Sequence, residues 1–96
     1  MNRSEILNFL KSNKRLIASR FGVLSIGVFG SVSKNIENQD SDVDVFVELN
    51  APKFDQYISL KIFLEKTFKR PVDLIRKGPH LSQKFIQSIE SDLIYV

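Results

Sequence analysis

The stretch FGSVSKNIENQDSDVDVFVEL, residues 29–49, decides how this sequence is interpreted. A Gly-Ser pair closes an apolar run, a polar segment follows, and two aspartates then alternate with valines. Successive side chains of a strand point to opposite faces, so Asp42 and Asp44 share one face while the valines share the other. The valines account for burial of the strand. The aspartates need another explanation, because like charges on one face repel each other and are costly to desolvate.

Length and composition restrict the class of protein. The chain has 96 residues, no cysteine and a formal net charge of +3. We expect one domain spanning 1–96, without disulfides or thiolate metal sites, in keeping with a cytoplasmic protein. No apolar run approaches the roughly 20 residues that cross a bilayer, so no membrane role is expected. The mild, dispersed positive charge gives no strong signal for nucleic-acid binding.

Hydrophobic periodicity predicts alternating helices and strands. The predicted elements are a helix capped by Ser4 and ending near Phe21-Gly22, a strand from Val23 to Phe29, a helical turn from Ser31 to Asn35, a loop to Ser41, a strand from Asp42 to Leu49, a helix from Phe54 to Lys69, a strand from Val72 to Arg76, a helix from Leu81 to Ser91 and a short terminal strand or docked end. This order favours an α/β (α+β) fold with a small mixed β-sheet covered by helices.

Several residues receive structural interpretations. Phe54 belongs to the apolar stripe of the long helix. Lys69 and Arg70 are interpreted as its solvated end, where the helix dipole favours cations. Tyr57 is expected to be half-buried with its hydroxyl in water, and the single histidine, His80, is interpreted as a capping or exposed residue.

A divalent cation would make the paired aspartates favourable. Mg²⁺ prefers oxygen ligands, commonly one or two carboxylates with phosphates and waters. Asp73, in PVDLIR, is a third acid within an apolar, strand-like run, and it faces the same site if the second and third strands are neighbours. Three carboxylates can hold two cations, which promote in-line phosphoryl displacement. Gly30 and Ser31 offer close backbone approach, a hydroxyl and N–H groups to a triphosphate.

Each of these features has an ordinary alternative. A Gly-Ser pair after a strand is usually a turn, DSDVD also fits a solvated strand entry, and Asp73 also fits a helix-to-strand boundary. The combination favours the catalytic interpretation, because each feature supplies a different part of one mechanism.

The same residues carry a resemblance to a known family. The chain has Gly-Ser, then ten residues from Val32 to Ser41, then Asp-x-Asp. This pattern resembles the signature of the minimal nucleotidyltransferases of the DNA polymerase β-like superfamily. RPVDLIR resembles the later strand that brings the family's third carboxylate, and the resemblance extends from Val23 to Val96. It implies a polymerase β-like nucleotidyltransferase core that uses ATP and Mg²⁺, with a two-metal site.

The resemblance also implies roles for individual residues. Those implied to bind the nucleotide are Gly30, Ser31 and Lys34, and those implied to be catalytic and to ligate metal are Asp42, Asp44 and Asp73. The family commonly has Ala-Arg-Gly where this chain has Ser-Lys-Asn at 33–35. Lys34 keeps the positive charge but lacks the planar fork of arginine, and an asparagine tolerates the left-handed backbone that a glycine adopts.

Stand-alone members of this family resemble antitoxins encoded beside HEPN-type toxins. The implied activity is that of a protein adenylyltransferase, moving AMP from ATP to a tyrosine of the partner toxin, and a homodimer or a heterocomplex is compatible with it. Two alternatives remain open. One is a non-catalytic antitoxin that neutralises its partner by contact, and the other is a small-molecule nucleotidyltransferase of the aminoglycoside type.

Overall fold

The computed structural model describes residues 1–35, 41–51 and 53–96. Its helices are α1 (Arg3–Ser12), α2 (Lys14–Phe21), α3 (Gly30–Ser33), α4 (Phe54–Phe68) and α5 (Gln83–Glu90), and its strands are β1 (Val23–Phe29), β2 (Val43–Leu49), β3 (Val72–Arg76) and β4 (Ile94–Tyr95). The predicted loop before Ser41 falls largely on residues 36–40, outside the described residues. The prediction of helices around a small sheet is confirmed.

The four strands form one mixed sheet in the order β3-β2-β1-β4. β1 pairs antiparallel with both β2 and β4, whereas β2 and β3 are parallel. Helix α4 connects the two parallel strands, which is the crossover that parallel neighbours require. The crossover therefore brings the starts of β2 and β3, and with them the predicted acidic residues, to the same end of the sheet.

The N-terminal helix differs from the prediction. It is broken at Asn13 into α1 and α2, and its first cap is Asn2 rather than Ser4. The Asn2 side chain accepts from the backbone N–H of Glu5 while the Glu5 carboxylate accepts from Asn2, a reciprocal capping box. The predicted stop at Gly22 is confirmed, because this residue adopts φ +68° and ends α2 in the left-handed conformation.

The long helix α4 ends at Phe68, where Lys69 takes a left-handed backbone conformation with φ +56°. This turn directs the next residue inward, and Arg70 is only 6% exposed. Its Nε donates to the carbonyl of Ser41 at 2.9 Å, and its Nη1 donates to the carbonyl of Met1 at 3.0 Å. The interpretation of Lys69 and Arg70 as a solvated helix end is therefore right for the lysine and wrong for the arginine.

The main core lies on one face of the sheet, beneath α1, α2 and α4. Val43, Val45 and Val47 are fully buried there, as the alternation predicts. The opposite face carries a smaller cluster in which Ile89 of α5 packs against Phe29 and Phe46. Asp44 and Asp73 lie on this second face, so the acidic residues share a surface with α5 rather than with the long helices.

Phe54 does not join the core. It is the first residue of α4 and is 73% exposed. Of the two structural roles that the sequence allows for it, core packing or contact with a partner, the structure excludes the first.

The outer edge of β3 is contacted by two side chains of α4. The Glu65 carboxylate accepts from the backbone N–H of Val72 at 2.9 Å, and the Tyr57 hydroxyl donates to the carbonyl of Leu74 at 2.6 Å. The tyrosine hydroxyl thus binds the backbone instead of water, contrary to the prediction. Among the described residues, no helix is long and apolar enough to cross a membrane.

Candidate active site

The register of the sheet brings the predicted acids together. β2 and β3 pair in parallel with Asp44 directly opposite Asp73. Side chains at paired positions of adjacent strands point to the same face, so these two carboxylates are neighbours. Asp42 lies one residue before β2, two positions from Asp44, on the same side of the chain. The condition that the sequence left open, neighbouring second and third strands, is met.

The electrostatics of Asp44 reflect this crowding. The side chain is half-buried, and burial is the main cause that raises its pKa; the negative charges of Asp73 and then Asp42 raise it further. Ionisation of the group is therefore opposed by its surroundings. A cation held among the three carboxylates would reverse this effect, because it favours their charged forms.

Gly30 contacts the same carboxylate from the opposite side. It follows β1, whose last residue, Phe29, pairs with Asp44. Its φ of +71° is in the left-handed region that favours glycine. A Cβ at this position would collide with Oδ2 of Asp44 and lie 3.0 Å from its Cγ. Glycine is thus required both by the backbone and by the space that the carboxylate occupies.

The turn after β1 is anchored to the C-terminal segment. Ser31 is partly exposed in the one-turn helix α3. The Ser33 hydroxyl donates to the backbone carbonyl of Asp92, and Lys34 Nζ lies 3.3 Å from Asp92 Oδ2. Asn35 adopts φ +60°, the left-handed backbone conformation for which the family commonly has a glycine at this position. Lys34 forms an ion pair with Asp92. The role of Lys34 in nucleotide binding stays a prediction.

Two residues near the site were missed by the sequence analysis. Arg70 binds the carbonyl of Ser41, immediately before Asp42, and lies three residues before Asp73 in the chain. Asp92 binds the side chains of Ser33 and Lys34, in the turn after β1. Only the burial of Arg70 distinguishes it from a surface cation, and periodicity does not report the burial of a residue between two elements.

The three aspartates fit a hard cation by the chemistry of their donors, since carboxylate oxygens are the ligands that Mg²⁺ prefers. Within the ranges 1–35, 41–51 and 53–96, no three acidic, histidine or cysteine side chains are close enough to form a preassembled cation cage. The three carboxylates are therefore candidate cation ligands by donor chemistry and strand register, not by a preformed cage.

Comparison with known proteins gives the family. Residues 4–96 match the family model of the nucleotidyltransferase domain. The chain is 38% identical over 96 residues to an inferred protein adenylyltransferase of Methanocaldococcus jannaschii, covering 97% of this chain and 96% of that protein. It is 34% identical over 93 residues to protein adenylyltransferase MntA of Thermococcus cleftensis, covering 96% and 93%.

Solved structures share the fold. A minimal nucleotidyltransferase superimposes with a TM-score of 0.81 at 23% identity, covering 98% of this chain and 95% of the other. An AMPylated HEPN toxin of Shewanella oneidensis in complex with an MNT antitoxin gives a TM-score of 0.67 at 18% identity, covering 97% and 70%. The sequence match, the fold and the paired acids agree, and the chain belongs to the nucleotidyltransferase domain family.

Proposed function

We propose that this protein transfers AMP from ATP to a tyrosine hydroxyl of a HEPN-type toxin and thereby acts as the antitoxin of that toxin. The observation that carries the proposal is the position of Asp44, with Gly30 against its carboxylate and Asp73 opposite it on β3. Relatives named protein adenylyltransferases support the reaction class. Similarly folded structures of a HEPN toxin with an MNT antitoxin, and of a toxin–antitoxin with AMP-PNP, support the partner and the nucleotide.

Three carboxylates would hold the cations of the reaction: Asp42, Asp44 and Asp73. Bound Mg²⁺ supplies positive charge that stabilises phosphate oxygens and favours ionisation of an attacking hydroxyl. The raised pKa of Asp44 agrees with this assignment, because a site that opposes ionisation without a cation gains most from binding one.

The strand order divides the site into two sides. Gly30 and Ser31 follow β1, on one side of β2, and Asp73 lies on β3, on the other. The phosphates of ATP would therefore occupy the β1 side, against the turn that begins at Gly30. The acceptor would approach from the β3 side, where Asp73 is exposed. Asp73 can there take the proton of the acceptor's hydroxyl. The acceptor oxygen then bonds to the α-phosphorus as the bond to the bridging oxygen breaks, and pyrophosphate leaves.

Label transfer tests this proposal. The protein is incubated with MgCl₂, ATP labelled at the α-phosphate, and the HEPN-type protein encoded beside it. We expect label on a tyrosine of the partner, located by peptide mass spectrometry, and loss of the partner's ribonuclease activity. The double variant Asp42→Asn, Asp44→Asn should transfer nothing, while Asp55→Asn, an exposed acid of α4, should behave as wild type. Transfer that survives the double variant would exclude the mechanism.

A contact-only antitoxin is the second candidate. The pairing of Lys34 with Asp92 favours it, since the cation predicted to bind phosphate is already engaged. In that case the double aspartate variant, with magnesium chelated, would still neutralise the partner. A small-molecule acceptor would instead be revealed by pyrophosphate release with aminoglycosides in the absence of any protein partner.

A further inference from the structure

A cavity lies at the outer edge of β3. Its volume is about 380 Å³, and it is bounded by the start of α4, the end of β3 and the segment before α5. We call it the edge pocket. Its lining residues are Lys53, Phe54, Tyr57, Leu74, Ile75, Arg76, His80 and Leu81.

The edge pocket borders β3, the strand that carries Asp73. Ile75 lines it and is two residues from Asp73 in the same strand, so the two side chains share one face. The nucleotide side, at the turn after β1, is separated from this pocket by β2. A group bound in the pocket would therefore extend towards Asp73 rather than towards the position proposed for the triphosphate.

Two aromatic rings form one wall of the pocket. Tyr57 is fixed by the hydrogen bond from its hydroxyl to the carbonyl of Leu74. Phe54 stacks on it with ring centroids 6.5 Å apart and an interplanar angle of 28°, yet stays 73% exposed. A large apolar ring that is supported from behind and open in front is typical of an anchor point in a protein interface.

The polar side chains among the other lining residues all present nitrogen atoms. Lys53 and Arg76 contribute cations and His80 an imidazole, and the lining contains no acid. Arg76 Nη1 and His80 Nδ1 both lie within 4 Å of the point where a Cβ of Gly78 would stand, so these two groups converge. In the part of the chain that the structure describes, none of the three forms an ion pair. The charges of Lys53 and Arg76 and the ring nitrogens of His80 are thus available to an anionic ligand.

We propose that the edge pocket docks an acidic segment of the acceptor protein, with an apolar side chain on Phe54 and a carboxylate between Arg76 and His80. This inference rests on the proposed transfer to a protein acceptor and names the surface that recognises it. Docking here would present a neighbouring hydroxyl to Asp73. A second copy of this chain is disfavoured as the occupant, because the chain itself carries a net charge of +3 and like charges across an interface are repulsive.

Binding measurements without ATP test the docking surface separately from the reaction. A HEPN-type protein, the proposed partner, is titrated with wild type, with Phe54→Ser and with the double variant Arg76→Gln, His80→Gln. Matched controls on the far surface of α4 are Ile62→Ser, which is 48% exposed in wild type, and Lys66→Gln. We expect each pocket variant to raise the dissociation constant about tenfold or more, as removal of an interface anchor does. The controls should leave the dissociation constant unchanged.

The charge and the oligomeric state give further readouts. Wild-type affinity should fall with added salt, and the Arg76, His80 double variant should show a smaller dependence. Equal affinity of pocket and control variants, or a homodimer that only Phe54→Ser dissociates in sedimentation experiments, would overturn the docking proposal. Pocket-dependent binding without any transfer of AMP would leave the docking surface in place and overturn the proposed function.

Discussion

Replacement of Gly30 by alanine should separate the stability of this fold from its activity. The left-handed backbone at φ +71° costs a non-glycine residue about 1–2 kcal/mol. The added Cβ would also collide with Oδ2 of Asp44 and lie 3.0 Å from Cγ, where ordinary contacts begin at 3.4 Å. Because the backbone of Gly30 is fixed between β1 and α3, the carboxylate of Asp44 has to move.

Gly22→Ala provides a matched control. Gly22 has nearly the same backbone, φ +68°, at the opposite end of β1. A Cβ there would lie 2.6 Å from Oδ1 of Asn50, the end of an exposed side chain that is free to rotate away. Both variants should therefore lose about 1–2 kcal/mol of unfolding free energy, but only Gly30→Ala displaces a residue of the candidate site.

The assay is chemical denaturation of both variants alongside the proposed AMP transfer to a HEPN-type protein. A displacement of about 1 Å at a reacting centre costs roughly 100-fold in rate, so Gly30→Ala should lose about that factor while Gly22→Ala stays near wild type. Activity near the wild-type level in both variants would refute the placement of Gly30 against a working carboxylate. Equal losses of activity would show that the effect is one of stability alone.

Three further predictions concern Asp44, Arg70 and Tyr57. Asp44→Asn should lower transfer about 100-fold or more yet unfold at higher denaturant concentration than wild type at pH 7 without divalent cations, since it removes a disfavoured charge. Folding raises the pKa of Asp44, so the folded state binds the proton more tightly than the unfolded state does. The unfolding free energy of the wild type should therefore decline as pH rises from about 4, an ordinary carboxyl pKa, through the raised pKa of the folded state. Asp44→Asn should lack this pH-dependent component in melts at different pH values. Arg70→Met should cost about 3 kcal/mol in denaturant titrations, from two hydrogen bonds with a charged donor, and an unchanged midpoint would contradict its structural role. Tyr57→Phe should cost about 1 kcal/mol by losing its bond to Leu74, and thermal melts that match wild type would argue against that bond.

The sequence predicted most of the fold because its strands have strong local signals. β1 and β3 have the predicted limits, and the valines of β2 face the core as alternation requires. The pairing of Asp44 with Asp73 depended on β2 and β3 being neighbours, which a helical crossover permits but does not impose. Three acids in strand-like surroundings indicate the candidate site from the sequence alone.

The features that the sequence did not reveal depend on tertiary contacts. The break at Asn13 lies within a continuous helical pattern of apolar residues. The burial of Arg70 follows from the left-handed turn at Lys69, and the exposure of Phe54 follows from where α4 starts relative to the sheet. The partners of Lys34 and Tyr57 lie 58 and 17 positions away in the chain, beyond the range in which periodicity carries information.

The hydrogen bonds from α4 to the outer edge of β3 have a consequence for solubility. Bare N–H and C=O groups at the margin of a sheet can template another molecule, and valine-rich strands are prone to such stacking. Here Glu65 sequesters the amide of Val72 and Tyr57 the carbonyl of Leu74, while β4, at the opposite margin, is two residues long. Both margins of the sheet are thereby poor seeds for fibrils, and loss of either α4 side chain should favour aggregation on prolonged incubation.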